Sequence, residues 1–174
     1  MLATPLLFLL LGTSTLATLL QKRDAATVLI DLYGIKTDIA ALSTTLDSFD
    51  GTLNGAVNVE YAEIDLEDGL NQAINDVVAS STFATASSTR VTNSVTGLEP
   101  DILAVLDKLV DNKPGFTSAG VVSVVKANLQ SLQNLTDVLS TEIQAKVTSS
   151  DKATIASGIL EVDAAYSNSI AAFS

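Results

Sequence analysis

Carboxylates are the only abundant groups in this chain with catalytic potential: 20 Asp and Glu stand against 9 Lys and Arg, with no His and no Cys. A Ser-His-Asp triad, a thiol nucleophile, a zinc site of nitrogen and sulfur ligands, and a disulfide framework are therefore excluded. Paired carboxylates could hydrolyse a glycoside. Nothing places two of them in an aromatic-lined cleft, however, and only seven aromatic residues lie beyond residue 23. The densest acidic run is Glu60, Glu63, Asp65, Glu67 and Asp68. It lacks the alternating oxygens, glycine and closing Glu of an EF-hand loop, and reads as a solvated helix face. GxSxG, GxGxxG and P-loop patterns are absent, so neither metal nor cofactor is expected. The formal net charge of −11 argues against a nucleic-acid partner, which needs a basic face.

Two short motifs suggest processing rather than catalysis. Residues 1–17 carry a compact apolar run, Leu6 to Leu11, followed by small residues with Thr15 and Ala17 at signal-peptidase positions. That run is too short to span a bilayer, so a secretory signal is expected and a transmembrane span is not. Residues 18–23 then read as a short propeptide ending in the dibasic pair Lys22-Arg23. Cleavage there leaves a mature domain, residues 24–174, with net charge −13 and no Met, Cys, His or Trp. Asn134-Leu135-Thr136 is the one glycosylation sequon and implies a surface position for Asn134.

The remaining signal is apolar. Hydrophobic residues make up 47% of the chain but aromatics only 5%, so Leu, Val, Ile and Ala must form the core. A domain of this length buries roughly 70% of its unfolded surface, enough to fold without disulfides. From Asp24 to Phe49, Val28, Leu32, Ile35, Ile39, Leu42, Leu46 and Phe49 recur in steps of four and three, a helical stripe ended by Asp50-Gly51. A second helix is expected over 53–81, with Val57, Tyr61 and Ile64 on one stripe. Leu66, Leu70, Ile74 and Val77 continue it after a slip. The third stripe, Val91 to Leu109, runs in phase through Pro100, which either kinks one helix or opens a new one in its first turn; the unbroken phase favours the kink. Asp111 to Gly115 predicts a stop and turn, and a fourth helix is expected from about Thr117 or Ser118 to Val147. Ile155, Ile159, Val162, Tyr166, Ile170 and Phe173 mark the last. No period-two alternation occurs, so the expected fold is all-α: a single-domain antiparallel bundle of about five helices.

Such aliphatic seams can leave a dry cavity for an alkyl chain, or open onto an apolar surface. The candidate ligand-lining positions are Leu32, Ile35, Ile39 and Leu42 on the first helix, Ile74 on the second, and Val95 and Ile102 on the third. Val125, Leu129 and Leu132 on the fourth, with Ile159 and Tyr166 on the last, complete the set. A carboxylate head would need a Ser, Thr, Gln or Lys at the mouth of such a cavity.

The segment VTGLEPDILAVLDKLVDNKPGF, from Val95 to Phe116, resembles the fungal cell-wall galactomannoprotein family, also called the hydrophobic surface-binding protein A family. The opening run from Val28 to Phe49 and Gly51 is similar too, and the resemblance spans about residues 24–173. It implies a secreted or wall-associated, mannosylated protein without enzymatic activity. Members bind hydrophobic surfaces or hold fatty acids in a central cavity, and one recruits a secreted hydrolase. A serine- and threonine-rich stalk with a lipid-anchor signal, found in longer members, is not part of this sequence, which favours a freely secreted product. Three functions are thus open: lipid binding, adsorption to hydrophobic surfaces with hydrolase recruitment, or a structural wall mannoprotein or antigen.

Overall fold

The computed structural model describes residues 24–174; the expected signal, Ala17 and the Lys22-Arg23 pair lie outside them. Seven helical segments follow: α1 (Ala25–Asp47), α2 (Leu53–Ala79), α3 (Thr85–Thr96), α4 (Glu99–Asp111), α5 (Lys113–Ala119), α6 (Val122–Gln144) and α7 (Ser149–Ala172). Short polar side chains begin three of the long ones. The Asp24 carboxylate accepts the Ala26 and Thr27 amides at 2.9 and 3.1 Å, Thr52 accepts from Gly55, and Thr148 accepts from Asp151.

The expected bundle of about five helices thus becomes seven segments, six of them twelve residues or longer. Prolines cause both additions. Pro100 does not kink a continuous helix: α3 stops at Thr96, and α4 restarts with Pro100 in its first turn, where the missing N–H costs no hydrogen bond. Pro114 likewise opens α5 where a turn was expected. The reversal is displaced to Gly120, whose φ of +76° suits a residue without Cβ, and α6 begins at Val122. Both α3 and α4 pack on α1 and on α7, so they stack end to end as one column. That explains why their apolar stripe stays in phase across the break.

Five columns therefore close a ring, in the order α1, α2, α6, α7 and α3–α4. Columns consecutive in the chain alternate in direction, as an up-and-down bundle requires. Yet α1, α3–α4 and α7 are ring neighbours that run the same way. Their cross-links rise together: Lys36 meets Asp101 at 3.2 Å, Lys108 meets Asp47 at 2.6 Å, and Asn112 Nδ2 donates to Leu46 O. Ser88 of α3 donates to Asp151 of α7 at one end, and Lys113, at the start of α5 just beyond α4, donates to the Ala172 carbonyl at the other.

The two ends of the ring close differently. Phe49 stacks on Phe116 with centroids 4.5 Å apart, and Phe116 meets Phe173 edge-on at 6.0 Å. These rings tie the C-terminal ends of α1 and α7 to α5. At the opposite end polar groups make the clasp: Thr148 N donates to Ser88, Phe83 N donates to Lys146 O, and Lys146 Nζ caps the Val78 and Ser80 carbonyls. The middle is aliphatic.

One packed face differs from the sequence reading. Val57, Tyr61 and Ile64 are exposed; the buried face of α2 is Ala56, Val59, Glu63, Leu66, Leu70, Ala73 and Val77. Those positions step by three and four without any slip. The face was hidden because it includes two alanines and a glutamate.

The Phe-plugged end depends on close backbone approach, since a Cβ at Gly115 would lie 2.8 Å from the Phe49 ring and 3.2 Å from Gly51 Cα. Gly115→Val should cost about 1–3 kcal/mol through overpacking, seen as a fall of several degrees in Tm by circular dichroism. An unchanged Tm would contradict this account of the closed end.

Candidate functional site

The aliphatic middle of the ring contains two adjoining cavities. The first, of about 80 Å³, lies among α1, α2, α3–α4, α6 and α7. The second, about 170 Å³, lies between α2 and α6 and is floored by Leu109 and Phe116. Leu42, Leu109 and Leu132 border both, so the two are partitioned by aliphatic side chains alone.

Nine of the twelve candidate positions line the first cavity: Leu32, Ile35, Ile39 and Leu42 from α1, Val95 from α3, Ile102 from α4, Leu132 from α6, and Ile159 and Tyr166 from α7. Val125 and Leu129 line the second. Ile74 lines neither; it is half-buried and packs against the outside of the core. Much of the remaining wall, such as Leu66, Leu70, Val105, Leu139, Ile155 and Val162, sits on the same helical stripes and was open to selection by periodicity. Thr136 falls on the α6 stripe as the alternative to Leu135, whereas Thr96, Glu99 and Ser140 had no such signal; nothing about a lone hydroxyl on a helix reveals that it faces a lumen.

Those hydroxyls and Tyr166 are the polar groups over most of the first cavity. Tyr166 is 4% exposed, and its OH lies 3.5 Å from Thr136 Oγ1, which donates to Leu132 O at 2.8 Å. Burial raises the phenol to about 12, so it keeps its proton. Ser140 Oγ accepts from Gln144. No Lys lines either cavity. Lys36, Lys108, Lys113, Lys126 and Lys146 hold partners on neighbouring segments instead, so of the four residue types considered for a head group, only Ser and Thr are present at the wall.

Carboxylates crowd the seams around this lumen. Glu63 is 6% exposed, a correction to its reading as part of a solvated face. Burial, then Glu67 and Glu60, raise it to about 8. Burial and the adjacent Asp163 raise Asp137 across the α6–α7 seam. Glu99 is raised by burial and by Glu161 across α4–α7, and Asp38 by burial and Asp65 across α1–α2. Asn134 is exposed on α6. Among the described residues no group of acids is arranged to hold a metal, and no helix is long and apolar enough to cross a membrane.

An all-helical ring around an aliphatic lumen defines the class, and the comparisons supply the family. The family model of hydrophobic surface binding protein A matches residues 25–145, and the chain belongs to that family. The crystal structure of AfMP4p in complex with palmitic acid is 47% identical, covering 87% of this chain and 100% of that one, with a TM-score of 0.86. Ligand binding domains 1 and 2 of the Penicillium marneffei MP1 protein, complexed with arachidonic acids, are each 18% identical. They cover 86% and 88% of this chain and 99% and 97% of theirs, with TM-scores of 0.80 and 0.81, and share the fold. No curated protein sequence matches.

The seam acids fix the sign of the pH dependence. Glu63 and Asp137 bind protons more tightly folded than unfolded, so the folded state gains over the unfolded one at low pH. That advantage is lost as pH rises from ordinary carboxylate values, 4.5 and 3.8, towards about 8 and about 6. Tm should therefore be higher near pH 5 than near pH 8. Glu63→Gln should remove much of the difference above about pH 6. A Tm that climbs steadily over that range in the unaltered protein would contradict it.

Proposed function

We propose that the chain is a secreted, non-enzymatic protein that holds a long-chain fatty acid or a similar lipid inside the bundle. The observation that carries this reading is the cavity wall itself, which is aliphatic from all five columns, in a chain 47% identical to a protein crystallised with palmitic acid. Burying each methylene is worth about 0.8 kcal/mol, so an acyl chain brings ample driving force without a charged anchor. A cavity of about 150 Å³ takes up a benzene. A sixteen-carbon chain needs more room than the first chamber offers, so loading must push that chamber's own aliphatic walls outward. The hydroxyls of Tyr166, Thr136 and Ser140 are the groups suited to meet the carboxyl head.

Residues 1–17 as signal and 18–23 as propeptide accord with a helical domain whose first cap is Asp24, directly after the dibasic pair. An exposed Asn134 accords with a glycan there. Apart from Glu99 in the first chamber and Glu60, Glu63 and Asn128 in the second, the wall is hydrocarbon and hydroxyl, suited to holding a lipid rather than transforming one. A second reading, adsorption to a hydrophobic surface, is favoured by Leu53, Val57, Tyr61 and Ile64, which form an exposed apolar stripe along α2.

Cavity-filling variants separate the readings. Leu132→Phe should weaken palmitate binding about tenfold, the equivalent of two displaced methylenes, as read by calorimetric titration. Ile74→Phe, off both cavities, should leave affinity unchanged. Equal affinity in both variants would count against an internal site and leave surface adsorption as the better reading.

A further inference from the structure

The chamber between α2 and α6 contains a feature that the fatty-acid reading does not use. Glu63 lines it, is 6% exposed, and its Oε1 receives no hydrogen bond; the one neighbour placed to share its proton is the Glu67 carboxyl, a like-charged group that an alcohol oxygen could replace. A buried carboxyl oxygen without a donor is costly to keep, and a ligand that supplies one removes that cost. Its other polar lining residues, Glu60 and Asn128, are bonded to each other, and the rest of the chamber wall is apolar. Its mouth is framed by Leu53, Val57 and Val124, which line it and yet remain 59%, 42% and 43% exposed.

We propose that this chamber is a second ligand site, specific for lipids with an uncharged oxygen head such as a fatty alcohol, with the Glu63 carboxylic acid as the hydrogen-bond donor. This rests on the reading of the bundle as a lipid-holding protein and adds a substrate class to it. The charges around the chamber dictate the preference. From its own helix Glu63 faces Glu60 and Glu67. The packed elements contribute Leu42 from α1, Leu109 from α4, Phe116 from α5, and Val125, Asn128, Leu129 and Leu132 from α6. From α7, Tyr166 is close enough to feel the Glu63 charge. None of these is a cation, and Asn128 is already engaged, donating to Glu60 Oε2 at 2.8 Å. A fatty carboxylate placed here would meet only like charge. An alcohol oxygen can accept the Glu63 proton-bearing O–H and return its own hydrogen to a carboxyl oxygen, satisfying both. At alkaline pH Glu63 loses the proton it donates and becomes an unpaired buried charge, so the site should fail there.

The test uses 1-decanol and palmitate on the chain from Asp24, by native mass spectrometry and calorimetry at about pH 6 and about pH 9.5, on either side of the Glu63 titration. The proposal expects decanol and palmitate on the same molecule at about pH 6. It also expects decanol affinity to fall about tenfold at the higher pH, the worth of one good hydrogen bond. Glu63→Leu should lose decanol about tenfold while keeping palmitate, which certifies its fold. Glu63→Gln keeps a donor that cannot ionise, and should bind decanol at both pH values. Decanol affinity unchanged in Glu63→Leu, or one-for-one displacement of decanol by palmitate, would overturn the second site. Palmitate binding without decanol binding would sink the second site alone, whereas binding of neither would sink the lipid-holding reading with it.

Discussion

Everything in this molecule depends on the fact that aliphatic side chains alone must fill the centre of a five-column ring. Protein interiors pack as densely as organic crystals, and a ring of five helices encloses more space than branched aliphatics fill completely. Large rings could fill it, but three of the seven described aromatics, Phe49, Phe116 and Phe173, are committed to closing one end. Unfilled apolar space forfeits the packing contacts of the side chains that line it. A lipid that enters restores those contacts and gains its own transfer out of water. The lumen is thus a destabilised element that ligand repairs.

The charges follow from the same arrangement. Three columns run parallel side by side, which sets helix ends of like polarity together, and two of the scarce lysines are spent there: Lys113 caps the last turn of α7, and Lys108 bridges α4 to Asp47 and Ser43 of α1. At the opposite end of the bundle Lys146 caps α2. None is left for the cavity wall. Acids by contrast exceed the bases and meet across the seams α1–α2, α4–α7 and α6–α7. The bundle is therefore held together by its core and cap contacts, with carboxyl pairs that favour association when protonated.

Periodicity alone located the columns, because steps of three and four survive small breaks: the stripe from Val91 to Leu109 crosses Pro100 in phase since α3 and α4 stack in line. What it missed were features whose residue types mislead. Ala56, Glu63 and Ala73 are buried where larger hydrophobes were sought, so the exposed Val57, Tyr61 and Ile64 were read as the inner face of α2. Prolines were read as a kink and a stop, although at a first turn they start helices, as in α4 and α5. The wall of the cavity was legible because a lumen inherits the core stripes; eleven of twelve chosen positions border it, and Ile74 falls on the flank. Most of its polar groups were not legible, because the facing of Ser140 and Glu63 is set by which columns become neighbours around the ring.

The most direct measurement is native mass spectrometry of the purified protein, with extraction and identification of whatever travels with it. The account predicts a fatty acid or related lipid at about one per chain in the cavity that spans all five columns, and a higher melting temperature than the delipidated protein. A protein that carries no lipid, takes up none when palmitate is added, and melts unchanged in its presence would contradict it.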